Sequence, residues 1–210
     1  MKKFIAFIIV TLFSSIAFGN FKNIEAWYIT HNSDTVRGTM IIPLDEEGGI
    51  NFAKLQWRIS FMDTTGNYYR IHPGEIKSFT IVNGLEKIRY NSIETSPDNY
   101  VFARLVIDGS INLYFFYKEV LEGGWVEGSY IKNYFLGYPT SAKLDYFILI
   151  KENGEVAEAR WDTFYKKIPP FFSDYRQLSK KIRTKEYKFT DIYRIVREYN
   201  RWKAGLSTGD

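Results

Sequence analysis

Two apolar strands, Val101 to Ile107 and Ser110 to Val120, flank the dipeptide Asp108-Gly109. Asp-Gly between such runs is a strong sign of a two-residue hairpin turn, because that turn needs positive φ at its centre. Any two-residue turn here pairs odd positions of the first strand with even positions of the second. One face then carries Val101, Ala103, Leu105 and Ile107 with Asn112, Tyr114 and Phe116. The other carries Phe102, Arg104 and Val106 with Ile111, Leu113, Phe115 and Tyr117. A strand wetted on one side alternates apolar with polar, and neither face does so. The hairpin therefore belongs in the interior of a sheet with cover on both sides. Arg104 is the exception, and needs a carboxylate partner or a route to water.

The rest of the chain supplies that sheet. Ile24–Thr30 and Thr35–Ile42 flank the turn Asn32-Ser33-Asp34, and Pro43 ends the second strand because it lacks a donor. After the polar loop Asp45-Glu46-Glu47-Gly48-Gly49 come Leu55–Met62, a turn at Asp63–Asn67, and Tyr68–Ile71. Pro73-Gly74 punctuates again. Lys77–Val82 and Leu85–Glu94 flank Asn83-Gly84, another hairpin signal. Gly124–Leu136 and Lys143–Lys151 complete about ten predicted strands. Beyond Asn153-Gly154 the period turns helical. Val156–Lys167 reads as a helix stopped by Pro169-Pro170, Asp174–Ile182 as one capped by Ser173, and Asp191–Lys203 as one capped by Thr190. In the last, Ile192, Ile195, Val196 and Tyr199 form one stripe and Arg194, Arg197, Glu198 and Arg201 the opposite one. Strands first and helices last predict an α+β fold. The body is an antiparallel bent sheet or partly open barrel, followed by about three short C-terminal helices.

Met1–Gly19 has its own logic. Lys2-Lys3, an apolar run from Phe4 to Phe13 and small residues before Gly19 follow the layout of a cleavable secretory signal. The expected product runs from 20 to 210 as one domain, with a β body at 20–152, a helical segment at 153–204 packed on it and a disordered tail at 205–210. The apolar run is shorter than a membrane span, which takes roughly 20 residues, so no transmembrane span is expected after cleavage. The chain contains no Cys, which excludes disulfides, thiolate metal sites, cysteine nucleophiles and a lipid-anchored form. The expected destination is the periplasm or the medium, held together by packing alone. Aromatic residues make up 18% of the chain and supply the apolar area.

Charge is distributed unevenly. Asn20 to Tyr165 holds 14 Lys and Arg against 19 Asp and Glu, whereas Lys166 to Lys203 holds 12 against 4. A basic tail on an acidic body can dock on that body, present a solvated helix face, or meet an anionic partner such as a membrane surface or polysaccharide. The arginines Arg194, Arg197 and Arg201 are the candidate contacts.

Motifs for chemistry are sparse. His31 with Asp34 and His72 with Glu75 sit at turns and fall short of the three or four converging ligands of a metal centre. Asp45-Glu46-Glu47 lacks the alternating spacing of a calcium loop. No Gly-x-Ser-x-Gly elbow and no phosphate-binding glycine loop occur in the sequence, and no carboxylate pair stands out. No catalytic residue, cofactor or metal is assigned. Among the aromatics, Trp27, Tyr28, Tyr68 and Tyr69 are candidates for stacking on a sugar, against the alternative that they fill the core. Trp57, Trp125, Tyr130, Trp161 and Trp202 belong to the same group. The basic tail lacks a recognition motif for nucleic acid. The doubly apolar hairpin and the late helices argue against an outer-membrane barrel, whose strands alternate throughout.

Three passages carry a resemblance. They are Trp27-Tyr28-Ile29-Thr30 through Asp34-Thr35-Val36-Arg37-Gly38, then Val101 to Gly109 running into Leu113-Tyr114-Phe115-Phe116, and Phe172-Ser173-Asp174-Tyr175 through Lys181-Ile182 to Ile195–Asn200. In that order the chain resembles a loose group of uncharacterised exported β-rich proteins of Gram-negative bacteria with a C-terminal helical segment. The resemblance implies a location and a fold and supplies no catalytic residues. The expected role is a non-enzymatic binding or scaffolding protein of the periplasm or cell surface, its partner an envelope protein, a glycan or an anionic surface. A hydrolase acting on glycan or peptide, and a carrier of an apolar ligand in a half-open barrel, are the alternatives.

Overall fold

The computed structural model describes residues 21–45, 47–121 and 141–205, without the side chains of 117–121 and 141–145. The expected signal segment, the strand Gly124–Leu136, Trp125, Tyr130 and residues 206–210 of the expected tail lie outside the described residues.

Among the described residues ten strands form one antiparallel sheet: β1 Phe21–Ile29, β2 Thr35–Pro43, β3 Ile59–Asp63, β4 Tyr68–Ile71, β5 Ser78–Asn83, β6 Glu86–Ser96, β7 Asn99–Ile107, β8 Ile111–Leu121, β9 Ser141–Lys151 and β10 Val156–Ala159. Their order across the sheet is β10-β9-β8-β7-β6-β5-β1-β2-β3-β4, and the sheet does not close. A short helix α1, Phe52–Leu55, precedes β3. The C-terminal segment holds α2 Phe164–Phe171, α3 Arg176–Arg183, a 3-10 turn Phe189–Asp191 and α4 Ile192–Lys203. The architecture is α+β and β-rich, as the pattern of elements predicts.

Three local expectations change. Leu55–Arg58 does not begin a strand, because Asn51 accepts a bond from the Lys54 amide at 3.3 Å and starts a turn of helix instead. Val156–Ala159 is an edge strand rather than the first turn of a helix. Ala and Glu favour helix, but pairing of Val156 with Ile150 and Ala159 with Phe147 overrides that weak preference. Pro169 and Pro170 sit inside α2 rather than after it. They withhold two amide donors, and the helix closes with the tighter bonds Phe172 N to Pro169 O and Ser173 N to Pro170 O. Caps differ too: α3 starts at Arg176 with no side-chain cap, and Asp191 accepts the Lys188 amide at 2.8 Å ahead of α4.

The expected two-residue turn of the central hairpin does not form, since neither Asp108 nor Gly109 has positive φ and residues 108–110 join the strands. The pairs Arg104–Phe115 and Leu105–Tyr114 lie two residues from the expected register and so keep its parity. A register shift then sets Ile107 opposite Leu113, which moves Ile107 onto the opposite face from the predicted one. Both faces are buried. One contributes Val101, Ala103, Tyr114 and Phe116 to a cluster with Ile93, Tyr146 and Ile148. The other contributes Ile111 and Leu113 to the cluster beneath the helices. On that same side of the sheet, β1, β2, β3, β5, β6 and β7 curl around a third cluster with Met40, Ile42, Phe61, Phe79, Ile81 and Phe102 at its centre. Across the seam of this bend the Phe102 amide donates to the Gln56 carbonyl at 2.9 Å, tying β7 to the segment that enters β3. Arg104 finds its carboxylate: Nη2 donates to Glu86 Oε1 at 2.9 Å.

Candidate functional site

The helical segment is held to the sheet by apolar contact. Phe164, Ile168, Phe171 and Phe172, then Leu178 and Ile182, then Ile192, Ile195, Val196 and Tyr199 are buried against Ile111, Leu113, Phe147, Leu149 and Ala159. Two polar fastenings add direction to this packing. Asn200 on α4 uses both ends of its amide on one residue of β8: Oδ1 accepts from Ile111 N at 2.7 Å and Nδ2 donates to Ile111 O at 3.0 Å. The second is Lys151, the last residue of β9 and only 9% exposed. Its ammonium donates to Phe171 O at 2.5 Å, Glu155 Oε2 at 2.9 Å and Asp174 Oδ1 at 3.4 Å. Three acceptors match its three N–H donors. The other oxygen of Asp174 accepts from the Tyr199 hydroxyl at 2.5 Å. Burial opposes ionisation of Asp174, but the Tyr199 hydroxyl and the Lys151 charge outweigh it and hold the carboxyl below its ordinary range. Tyr199 is pushed far up, by burial first and then by its bond to that carboxylate.

This arrangement turns the basic residues outward. On α3, Arg176, Lys180 and Arg183 follow i, i+4, i+7 and are exposed, opposite the buried Leu178 and Ile182. On α4, Arg194, Arg197 and Arg201 follow i, i+3, i+7 and are exposed, opposite Ile192, Ile195, Val196 and Tyr199. Lys181 on α3 donates to Glu198 Oε1 on α4 at 3.1 Å, which links the two helices at one point. That bond is also the main reason the Lys181 pKa is raised. Glu198 accepts a second bond from the Tyr187 hydroxyl. The Arg194 guanidinium lies 5.1 Å from the centre of the Tyr187 ring.

The four acids of 166–203 have these partners. Asp174 is taken by Lys151 and Tyr199, Glu198 by Lys181 and Tyr187, and Asp191 by the Lys188 amide. Glu186 is left, exposed between the helices. Among the described residues, no Lys or Arg of 166–203 pairs with a carboxylate of the β body. The one described ion pair that joins the two parts runs the other way, from Lys151 of the body to Asp174 of the segment.

The candidate aromatics do not form one platform. Trp27 and Tyr28 are neighbours on β1 and point to opposite sides. Tyr28 packs edge-on to Phe61 at 5.0 Å on the inner side of the bend. The Trp27 ring faces outward, with the Arg37 guanidinium and the Lys87 ammonium 5.6 and 5.7 Å from its centre. On the edge strand β4, Tyr68 donates to Ser60 Oγ at 2.9 Å and Tyr69 to Asp63 Oδ2 at 3.0 Å. Tyr69 stands opposite Phe61 and so shares the side of Tyr28, whose phenol is raised by burial and then by Asp63. Tyr28 and Tyr69 therefore meet around Asp63, while Trp27 and Tyr68 belong to the other face.

The histidines serve turns. His31 Nε2 lies 2.6 Å from the Gly74 carbonyl, a position that calls for the protonated nitrogen, and Glu75 accepts the His72 amide at 2.9 Å. No group of three or more His, Cys, Asp or Glu suited to a metal ion occurs among the described residues. No described helix is long and apolar enough to cross a membrane. No protein-family model, curated protein or solved structure matches the chain.

Proposed function

We propose that this chain is an exported, non-enzymatic binding protein of the bacterial envelope that holds an anionic partner on the basic face of α3 and α4. The observation that carries this reading is the fate of the segment's acids. Three of the four are hydrogen-bonded inside the molecule, two of them to lysines, so the exposed cations of α3 and α4 keep an excess of positive charge. Outward, regularly spaced cations on adjacent helices suit an extended anionic surface or polymer better than a single small anion. The lysine-led apolar segment at the start of the sequence supports an exported setting for such a contact.

The test is capture from an envelope fraction by the purified protein and by a variant carrying Arg194→Glu, Arg197→Glu and Arg201→Glu. The expected outcome is loss of the captured partner with the fold retained and only a small fall in melting temperature, since the substituted side chains are exposed and the Arg194 contact with the Tyr187 ring is the described interaction lost. Equal capture by both proteins contradicts the proposal.

A further inference from the structure

A cleft of about 470 Å³ opens between the helical segment and the middle of the sheet, lined by Arg104, Val106, Phe115, Phe147, Phe189, Thr190, Ile192 and Tyr193. Half of the described lining residues are aromatic. Phe147 packs against Phe115, Phe189 and Tyr193 at ring-centre distances of 5.4, 5.7 and 5.5 Å. Arg104 is the only charged residue among the described lining; its guanidinium lies 5.8 Å from the centre of the Phe52 ring, and its bond to Glu86 employs one nitrogen, Nη2. A guanidinium has five N–H donors in a planar fork that suits a carboxylate. The volume falls within the range of small-molecule sites, about 300–1,000 Å³, and such sites combine apolar walls with a few polar groups that fix orientation. From this juxtaposition we infer that the cleft binds a small amphipathic monocarboxylate, with its apolar tail among Phe115, Phe147, Phe189 and Tyr193 and its carboxylate on Arg104. Glu86, exposed and bonded to the same guanidinium, holds it in place and weakens binding of a dianion.

This site is separate from the basic face, and either can fail without the other. The test is calorimetric titration of the full chain with decanoate and with decanol, which share a tail and differ in charge. Decanoate is expected to bind about tenfold or more tightly than decanol, the scale of one charge-assisted bond pair. Arg104→Gln should abolish that difference while decanol binding persists. Thr190→Phe, placed on the exposed rim, should block both ligands without changing the melting temperature. Absence of decanoate binding, equal affinity for the two ligands in the unmodified chain, or full decanoate binding in Thr190→Phe overturns the inference.

Discussion

Lys151 is where burial, charge and chain connectivity meet. Its ammonium is removed from water and repaid by three acceptors, one of them the carbonyl that ends α2. Lys151→Met keeps the length of the side chain and leaves the Phe171 carbonyl and part of Asp174 without a donor. Removing one member of a buried pair costs several kcal/mol, and the two partly exposed carboxylates here moderate that. A loss of about 2–3 kcal/mol in chemical denaturation is expected. Tyr199→Phe, which removes only the hydroxyl bond to Asp174, should cost about 1 kcal/mol. The pH response follows from Asp174. Its folded-state pKa lies below the ordinary 3.8, so its contribution is complete above that value and disappears as pH falls through the folded value. Urea midpoints measured between about pH 6 and pH 2.5 should fall more steeply for the unmodified protein than for Asp174→Asn. Parallel curves would show that Asp174 contributes nothing to the acid limb. None of this was legible in the sequence, where Lys151 simply closes a strand. Its partners stand 4, 20 and 23 positions away, and nothing local marks the last two. Arg104 was legible, because a charge in a doubly apolar hairpin demands a partner wherever the chain goes.

Elements dock through close approaches as well as side chains. A Cβ on Gly38 would come within 2.1 Å of the Met62 carbonyl and 2.7 Å of the Phe61 ring, where β2 pairs with β3. Backbone cannot yield as a side chain does, so Gly38→Ala should separate β3 and β4 from the sheet. A loss of about 2–4 kcal/mol is expected, with amide exchange rising first at Ile59–Ile71. Asn200 is the matching device at the other end. Asn200→Ala leaves both polar groups of Ile111 without their partner, and should cost about 2 kcal/mol and raise exchange along α4. Exchange unchanged in α4 would mean that apolar packing alone holds it. The strands were readable because β-branched and aromatic runs between Gly, Pro, Asn and Asp have few other uses. Elements whose identity is decided by a neighbour were misread. Val156–Ala159 is a strand because β9 offers an edge, and Pro169-Pro170 stay helical in a turn that closes with tighter bonds. In the candidate site, the arginine stripe of α4 followed from its period. The occupation of Asp174, Glu198 and Asp191 needed the fold, because every one of those partners except Lys188 is remote.

At the scale of the whole molecule, charge and apolarity do different jobs. An acidic β body and a basic helical segment are joined by aromatic and aliphatic packing, and among the described residues the ion pair between them, Lys151 with Asp174, has reversed polarity. The basic face is thus left over from folding rather than consumed by it, which is the central claim. It predicts binding that is electrostatic and salt-sensitive, because exposed charges are screened over about 10 Å at 0.1 M salt. Each Lys or Arg near an anionic surface contributes about 1 kcal/mol. The most direct measurement is co-sedimentation of the purified protein with phosphatidylglycerol vesicles as a defined polyanionic surface, from 20 to 500 mM salt on the order of a standard titration. The comparison proteins are the Arg194→Glu, Arg197→Glu, Arg201→Glu variant and a body variant, Arg37→Glu with Lys87→Glu. The account predicts binding that fades with salt, falls about 100-fold or more in the helix variant, and changes little in the body variant. Binding that ignores salt, or that is lost equally in both variants, would contradict it.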